Sequence, residues 1–297
     1  MGSRRKDLEK RAGFIAFRMA EKTFLKKDTI SAERTGERLG NLVFRLSKKH
    51  RNRALSNLEL AFPQMPAAEL DALARKVFQH FGRITGDFMK SPGRTDEEVL
   101  AHADCHGFEH LDEALAEGKG VILLTGHYGN WERAAHVVAA KGYKLSVVAR
   151  DANDTDLNRH VLRIRQAHGV EVLSRGNAAR AILTKLKKNE VIAILPDQNS
   201  GDIFIPFFEK PCGTVTGPAS IHQRMGSPMI MFFSQRTGPG EYRMEVHPPL
   251  KPVPGFDLVE GMTRAINNAL EEQIRRVPEQ WLWFHDRWKS ARRAGLL

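Results

Sequence analysis

Cysteine is nearly absent, with Cys105 and Cys212 the two thiols of a 297-residue chain. Two thiols so far apart make no disulfide framework, and they fit a reducing compartment. Long apolar runs are missing too. The longest, Val121–Leu124 and Met229–Phe233, have strand length, well short of the roughly 18–20 apolar residues that span a bilayer. The N-terminus is basic but lacks the apolar core and cleavage site of a signal peptide, so the expectation is a soluble or peripheral protein. There is no internal repeat and no low-complexity tract. Acidic residues are in deficit: 46 Lys and Arg face 35 Asp and Glu, for a formal charge of +11 and a pI near 9.8. That balance attracts polyanions, whether nucleic acid, an anionic membrane or a phosphorylated substrate. No reading helix or aromatic–basic strand motif accompanies it, which argues against nucleic acid.

What remains is an ordinary globular composition, 41% hydrophobic and 27% charged. Residues 8 to about 27 read as a basic amphipathic helix, with Phe14, Phe17, Phe24 and Leu25 beside Arg11, Arg18, Lys22, Lys26 and Lys27. Such a helix can lie on an anionic membrane surface or pack on the domain. Residues 33–90 are helical by pattern, through Leu39, Leu42, Val43 and Leu46 and then Leu70, Leu73, Val77, Phe81 and Ile84, with Pro63 and Pro66 at the break. From Gly118 strand-length runs (121–125, 145–149, 170–173, 191–195, 229–233, 242–246) alternate with helical segments (131–140, 156–168, 178–188). Alternation of this kind predicts an α/β fold with a mostly parallel central sheet flanked by helices. We read one such domain over residues 35–297, preceded by a helical N-terminal segment, residues 1–34.

The stretch Thr125-Gly-His-Tyr-Gly-Asn-Trp-Glu132 leaves a buried strand and turns. In a continuous helix His127 and Glu132 would stand about 140° apart and could not meet. Gly126 and Gly129 permit a turn, and Asn130 is a candidate N-cap, which puts Glu132 in the first helical turn. Glu132 could then accept a hydrogen bond from one ring nitrogen of His127 and leave the other free as a base. Open α/β sheets bind ligands at this end of their strands. The pair suits proton removal from a hydroxyl as it attacks an activated carbonyl. No Gly-x-Ser-x-Gly elbow occurs and no Cys adjoins the histidine, so direct attack is favoured over a covalent enzyme intermediate. Water in place of the hydroxyl would make the same pair a thioesterase-like hydrolase.

That motif resembles the signature of the late acyltransferases of lipid A biosynthesis, the lauroyl- and myristoyl-transferring family. Further blocks agree in order: Arg53-Ala-Leu-Ser-Asn-Leu-Glu-Leu-Ala-Phe-Pro63, Val147-Val-Ala-Arg150, residues 157–169, Ile194-Leu-Pro-Asp-Gln198, Ile205-Pro-Phe-Phe208, Thr216-Gly-Pro-Ala219 and Pro278-Glu-Gln-Trp-Leu-Trp-Phe-His285. The resemblance implies transfer of an acyl chain from acyl carrier protein to a hydroxyl of a phosphorylated glycolipid, at the cytoplasmic face of the inner membrane. It also implies the glycerol-3-phosphate-acyltransferase-like fold, whose related motif ends in Asp rather than Glu. Family members that acylate phosphatidylinositol mannosides leave the acceptor open.

Arg150, Arg165, Asp197 and Gln198 are the expected substrate-binding residues; Arg163 is a weaker candidate. Arg150 could hold a phosphate bidentately. Beside an anionic lipid, Asp197 would more plausibly orient an arginine or accept a sugar hydroxyl. Trp281, Trp283 and Trp288 crowd a basic C-terminus and divide between a membrane-interface reading and simple packing. Trp131 is expected beneath the catalytic turn. His102, Asp104, Cys105, His106 and His110 match no standard zinc spacing, and no metal or cofactor is expected.

Overall fold

A computed structural model describes residues 17–149, 155–174 and 178–297. Residues 17–25 are helical (α1). They precede α2 (Thr29–Leu46), α3 (Lys48–Ala61) and α4 (Ala67–Lys90), with the Pro63–Pro66 break where the sequence places it. Next come α5 (Asp96–Ala101), β1 (Ala103–His106), α6 (Phe108–Ala116), β2 (Val121–Leu124), α7 (Trp131–Ala140), β3 (Leu145–Ala149), α8 (Thr155–Arg165) and β4 (Glu171–Ser174). The chain continues through α9 (Ala178–Lys187), β5 (Val191–Ile194), the hairpin β6 (Ile203–Phe207) and β7 (Lys210–Thr214), α10 (Gly217–Met225), β8 (Met229–Gly238) and β9 (Glu241–Pro249). It ends in α11 (Leu258–Arg276) and α12 (Lys289–Arg293).

Seven strands form one sheet in the order β1-β9-β8-β2-β5-β3-β4, parallel throughout except for the antiparallel pair β8–β9. Its central strands are apolar on both faces, as sheets covered by helices on both sides require. Alternate residues serve opposite cores. Ile122, Leu124, Ile192, Met231 and Phe233 meet α4, α11 and the C-terminal tryptophans. Val121, Leu123, Val191, Ala193, Ile230 and Phe232 meet α6 and α7. The expected strands and helices from Gly118 onward are all present, and the mostly parallel sheet is borne out. β1 is an addition that apolar periodicity did not reveal, because Ala103–His106 is polar and only half buried. The β6–β7 hairpin is a second addition, with Pro206 inside β6 and Pro211 inside β7.

Two expectations about the N-terminal region change. The boundary at residues 34–35 falls inside α2, a continuous helix laid along α4. In α1, Phe24 is buried with Ala32 and Met89, and the buried Glu21 pairs with His160 at 2.7 Å and Arg163 at 3.0 Å. The described part of the basic helix is therefore packed on the domain; Phe14 and Arg11 lie outside the described residues. No helix among the described residues is long and apolar enough to cross a membrane.

Candidate active site

Strands β2 and β5 are parallel neighbours, and Leu124 lies opposite Ile194 at their carboxyl ends. Each chain runs three residues further, one to His127 and the other to Asp197. Register alone brings the two side chains together. Asp197 accepts twice from His127, from the ring Nδ1 at 2.8 Å and from the backbone N–H at 2.7 Å. It also accepts from Trp281 Nε1 at 2.9 Å and is buried. Because an ionised carboxylate only accepts, the ring proton sits on Nδ1 and Nε2 is the unprotonated, accepting nitrogen, to which the Gln198 side-chain amide can donate a long hydrogen bond. Gln198 Nε2 lies 3.4 Å from that atom.

Electrostatics agree with this tautomer. Burial opposes charging of the imidazole, but the Asp197 carboxylate, by charge and by hydrogen bond, and Glu132 more weakly, hold His127 above its ordinary value. Burial would raise the Asp197 carboxyl; the imidazole beside it, the His127 N–H and Trp281 outweigh that and hold it down at about 2.

The expected hydrogen bond from His127 to Glu132 is replaced by this one. Glu132 stands in the first turn of α7, as predicted, but its carboxylate is gripped by Arg165 at the end of α8. Arg165 Nη2 donates to Oε1 at 2.6 Å and Nε to Oε2 at 3.0 Å, a two-point contact; Trp131 Nε1 donates to Oε1 at 3.2 Å. The physical reason is competition. Asp197 reaches Nδ1 directly from the adjacent strand, and a guanidinium is a stronger partner for Glu132 than a neutral imidazole. Asp197 orients a histidine, not an arginine, and the acid that orients an arginine is Glu132.

The turn is held from three sides. Gly129 has φ +56°, and a Cβ there would fall 1.4 Å from the Ser234 carbonyl oxygen. Its N–H donates to the Gln280 carbonyl at 2.9 Å, and its own carbonyl faces His80 Nε2 at 3.2 Å. Burial holds His80 neutral, down at about 3, so Nε2 can donate as an uncharged N–H. Gly126 is needed for closeness: a Cβ there would meet Leu270 at 2.9 Å and Asp197 at 3.1 Å. Asn130 is the N-cap, accepting from the Arg133 N–H at 3.1 Å and donating to buried Asp87 at 2.8 Å. Asp87 also takes Arg94 and Arg133, a shielded set that sequence spacing gave no means of finding.

The C-terminal block clasps the Asp197 loop. Besides Trp281, His285 Nε2 accepts from the Asn199 N–H at 3.1 Å, and Arg287 reaches the Gln198 and Gly213 carbonyls at 3.4 and 2.5 Å. Trp281, Trp283 and Trp288 are all buried, which settles their divided reading in favour of packing. Trp131 packs edge-on to His127, with ring centroids 5.2 Å apart. Arg150 lies outside the described residues. His102 pairs with Glu241 and His106 with Asp104, and the described residues contain no group of three or more potential metal ligands.

His127, Glu132, Arg165 and Gln198 line a cavity of about 1020 Å³. Its walls are mainly aliphatic, with Ala134, Val138, Val147 and Ala193 on one face of the sheet and Ile182, Ile194 and Ile221 on the other. Lys49, Arg53 and Lys289 also line it. A histidine with an unprotonated Nε2, a fixed guanidinium and a partly aliphatic cavity at the carboxyl edge of a parallel sheet define an α/β site that can take an apolar substrate with a polar reacting end.

The comparisons are specific. The bacterial lipid A biosynthesis acyltransferase family model matches residues 29–290, and the chain belongs to that family of acyltransferases. It is 25% identical to a lipid A biosynthesis acyltransferase of Haemophilus influenzae over 91% of this chain and 81% of that protein. It is 27% identical to the lipid A biosynthesis palmitoleoyltransferase of Escherichia coli over 86% of this chain and 84% of the relative. A phosphatidylinositol mannoside acyltransferase of Mycobacterium tuberculosis is 25% identical over 81% and 79%.

Proposed function

We propose that this chain moves a fatty acyl group from an acyl carrier protein thioester to a hydroxyl of a phosphorylated glycolipid, a lipid A precursor in lipopolysaccharide biosynthesis. It would do so as a peripheral protein on the cytoplasmic face of the inner membrane. The observation that carries the reading is the Asp197–His127 pair, with an unprotonated Nε2 at the cavity. Nε2 takes the acceptor hydroxyl proton as the oxygen attacks the thioester carbonyl. The tetrahedral intermediate then collapses, the C–S bond breaks, and the imidazolium returns the proton to the departing thiolate. Asp197 stays ionised throughout, fixing the tautomer and stabilising the imidazolium. Arg165, held by Glu132 in the lining of the same cavity, is the cation assigned to stabilise the developing oxyanion. Gln198 orients the hydroxyl beside Nε2, and Arg150 is assigned to the acceptor phosphate with Lys49, Arg53 and Lys289.

Mycobacterial relatives named for phosphatidylinositol mannoside make another glycolipid the second acceptor class. The test is direct. Purified protein is incubated with a panel of acyl carrier protein thioesters and either a lipid A precursor or phosphatidylinositol mannoside, and the product is weighed by mass spectrometry. An acyl ester on the lipid A precursor that vanishes in His127→Ala supports the reading. Free fatty acid as the sole product would turn it into a hydrolase.

A further inference from the structure

Helix α2 is inside out. Its buried face is Ala32, Glu33, Gly36, Gly40 and Phe44, so small residues dominate the side that packs. The seam is backbone against backbone: a Cβ on Gly36 would lie 2.0 Å from the Gly82 carbonyl oxygen, and one on Gly40 2.1 Å from that of Phe78. The large aliphatics face out. Leu39, Leu42, Val43 and Leu46 are 46, 49, 47 and 72% exposed. At about 100° per residue they fall within an arc of roughly 100°, a continuous stripe one helix face wide. Arg34, Arg38 and Arg45 occupy the adjoining arc of about 40°, all exposed, and none pairs with a carboxylate among the described residues. Lys48 and Lys49 extend the basic edge, and Lys49 and Arg53 line the active-site cavity.

We infer that the outer face of α2 docks this protein on an anionic phospholipid bilayer, with the leucine stripe entering the headgroup–acyl boundary and the arginine row on lipid phosphates. Three observations select the occupant. The stripe is the outward side of a single helix, a ridge that a bilayer can deform around. Its flank is uniformly cationic, the complement of an anionic leaflet. And the stripe leads to the residues at the cavity, so docking there presents the site to a lipid without the lipid leaving the membrane, a consequence that rests on the proposed function. In α1 Phe24 is buried while Met19 and Leu25 are exposed; on α2 four exposed aliphatics share one face.

The experiment needs no substrate, so its failure and that of the proposed function are separable. The full chain is floated with vesicles of phosphatidylethanolamine and phosphatidylglycerol, and with vesicles of phosphatidylcholine alone. Leu39→Gln/Leu42→Gln/Leu46→Gln should lower partitioning onto both by about 100-fold. Arg34→Gln/Arg38→Gln/Arg45→Gln should cost about 100-fold on the anionic vesicles and little on phosphatidylcholine. All substituted side chains are exposed, and circular dichroism confirms folding. Unchanged partitioning in the leucine variant overturns the inference. So does a leucine variant that keeps its vesicles but loses affinity for acyl carrier protein, or changes its sedimentation coefficient, since the occupant would then be a protein.

Discussion

The turn at His127 and the outer face of α2 treat side chains in opposite ways. Around the turn, polar groups are buried and held: Asp197 by three donors, Glu132 by Arg165 and Trp131, Asn130 by Asp87. On α2, Leu39, Leu42, Val43 and Leu46 are about half exposed or more, while Gly36 and Gly40 lie on the buried side. A buried polar network keeps one geometry because every alternative leaves a group unpaired at a cost of about 1–3 kcal/mol. An exposed aliphatic stripe has no such constraint and adapts to what it meets. On the proposed function the first region suits fixed chemistry, and on the proposed docking the second suits contact with a membrane.

The contrast breaks most decisively at the base. His127→Ala should lower kcat by roughly 10⁴-fold while leaving the melting temperature within a few degrees, read by product mass spectrometry and thermal denaturation. A wild-type rate would remove His127 from the chemistry. The two carboxylates then separate by their partners. Asp197→Asn should cost on the order of 10³-fold, because the amide can no longer enforce the Nδ1–H tautomer. It should also move the pH profile. A base must be neutral, so wild-type kcat/KM rises with pH through the His127 value, which Asp197 holds above the ordinary 6.5. Without that carboxylate the rising limb shifts to lower pH while the plateau falls. Glu132→Gln should cost about 100-fold through loosened Arg165 and shift the limb less, since Glu132 contributes less than Asp197 to the raised His127 value. A larger shift in Glu132→Gln than in Asp197→Asn would return the orienting role to Glu132.

The Asp197–His127 pair also links stability to pH. Asp197 is depressed on folding, so its contribution is complete above its unfolded value near 3.8 and is lost as pH falls toward about 2. His127 is raised, so its contribution is present below about 6.5 and fades as pH rises through the folded value.

Much of this architecture was legible in the sequence. Strand-length apolar runs gave the sheet from Val121 onward, and Gly129, Asn130 and Glu132 fell where a strand–turn–helix requires. The acid on His127 was not legible from the motif, because it lies 70 residues away on another strand. A signal did exist: the runs Val121–Leu124 and Val191–Ile194 are of equal length, and each is followed three residues later by a polar residue of the site. Pairing them in register would have found Asp197, but strand order is not written in apolar periodicity. Leu39, Leu42, Val43 and Leu46 marked the helix correctly but not the face it buries. Helical spacing of aliphatics normally marks the buried face, and only the glycines at 36 and 40, read as a packing seam with a partner glycine, turn the helix over.

That inversion supplies the two smaller predictions. Gly36→Ala should lower stability by about 1–3 kcal/mol, because the added methyl meets the Gly82 backbone, which cannot rotate away as a side chain could. Denaturant titration would show it as a lower midpoint at unchanged slope. Leu42→Gln is the counterpart on the outer face and the smallest effect of all. In a helix whose leucines served the core, that substitution would create a cavity with a buried amide and cost several kcal/mol. Here Leu42 is already 49% exposed, so stability should stay within about 0.5 kcal/mol of the parent. A loss comparable to that of Gly36→Ala would mean the stripe is covered in solution, and the difference between the fixed site and the open helix face would not hold.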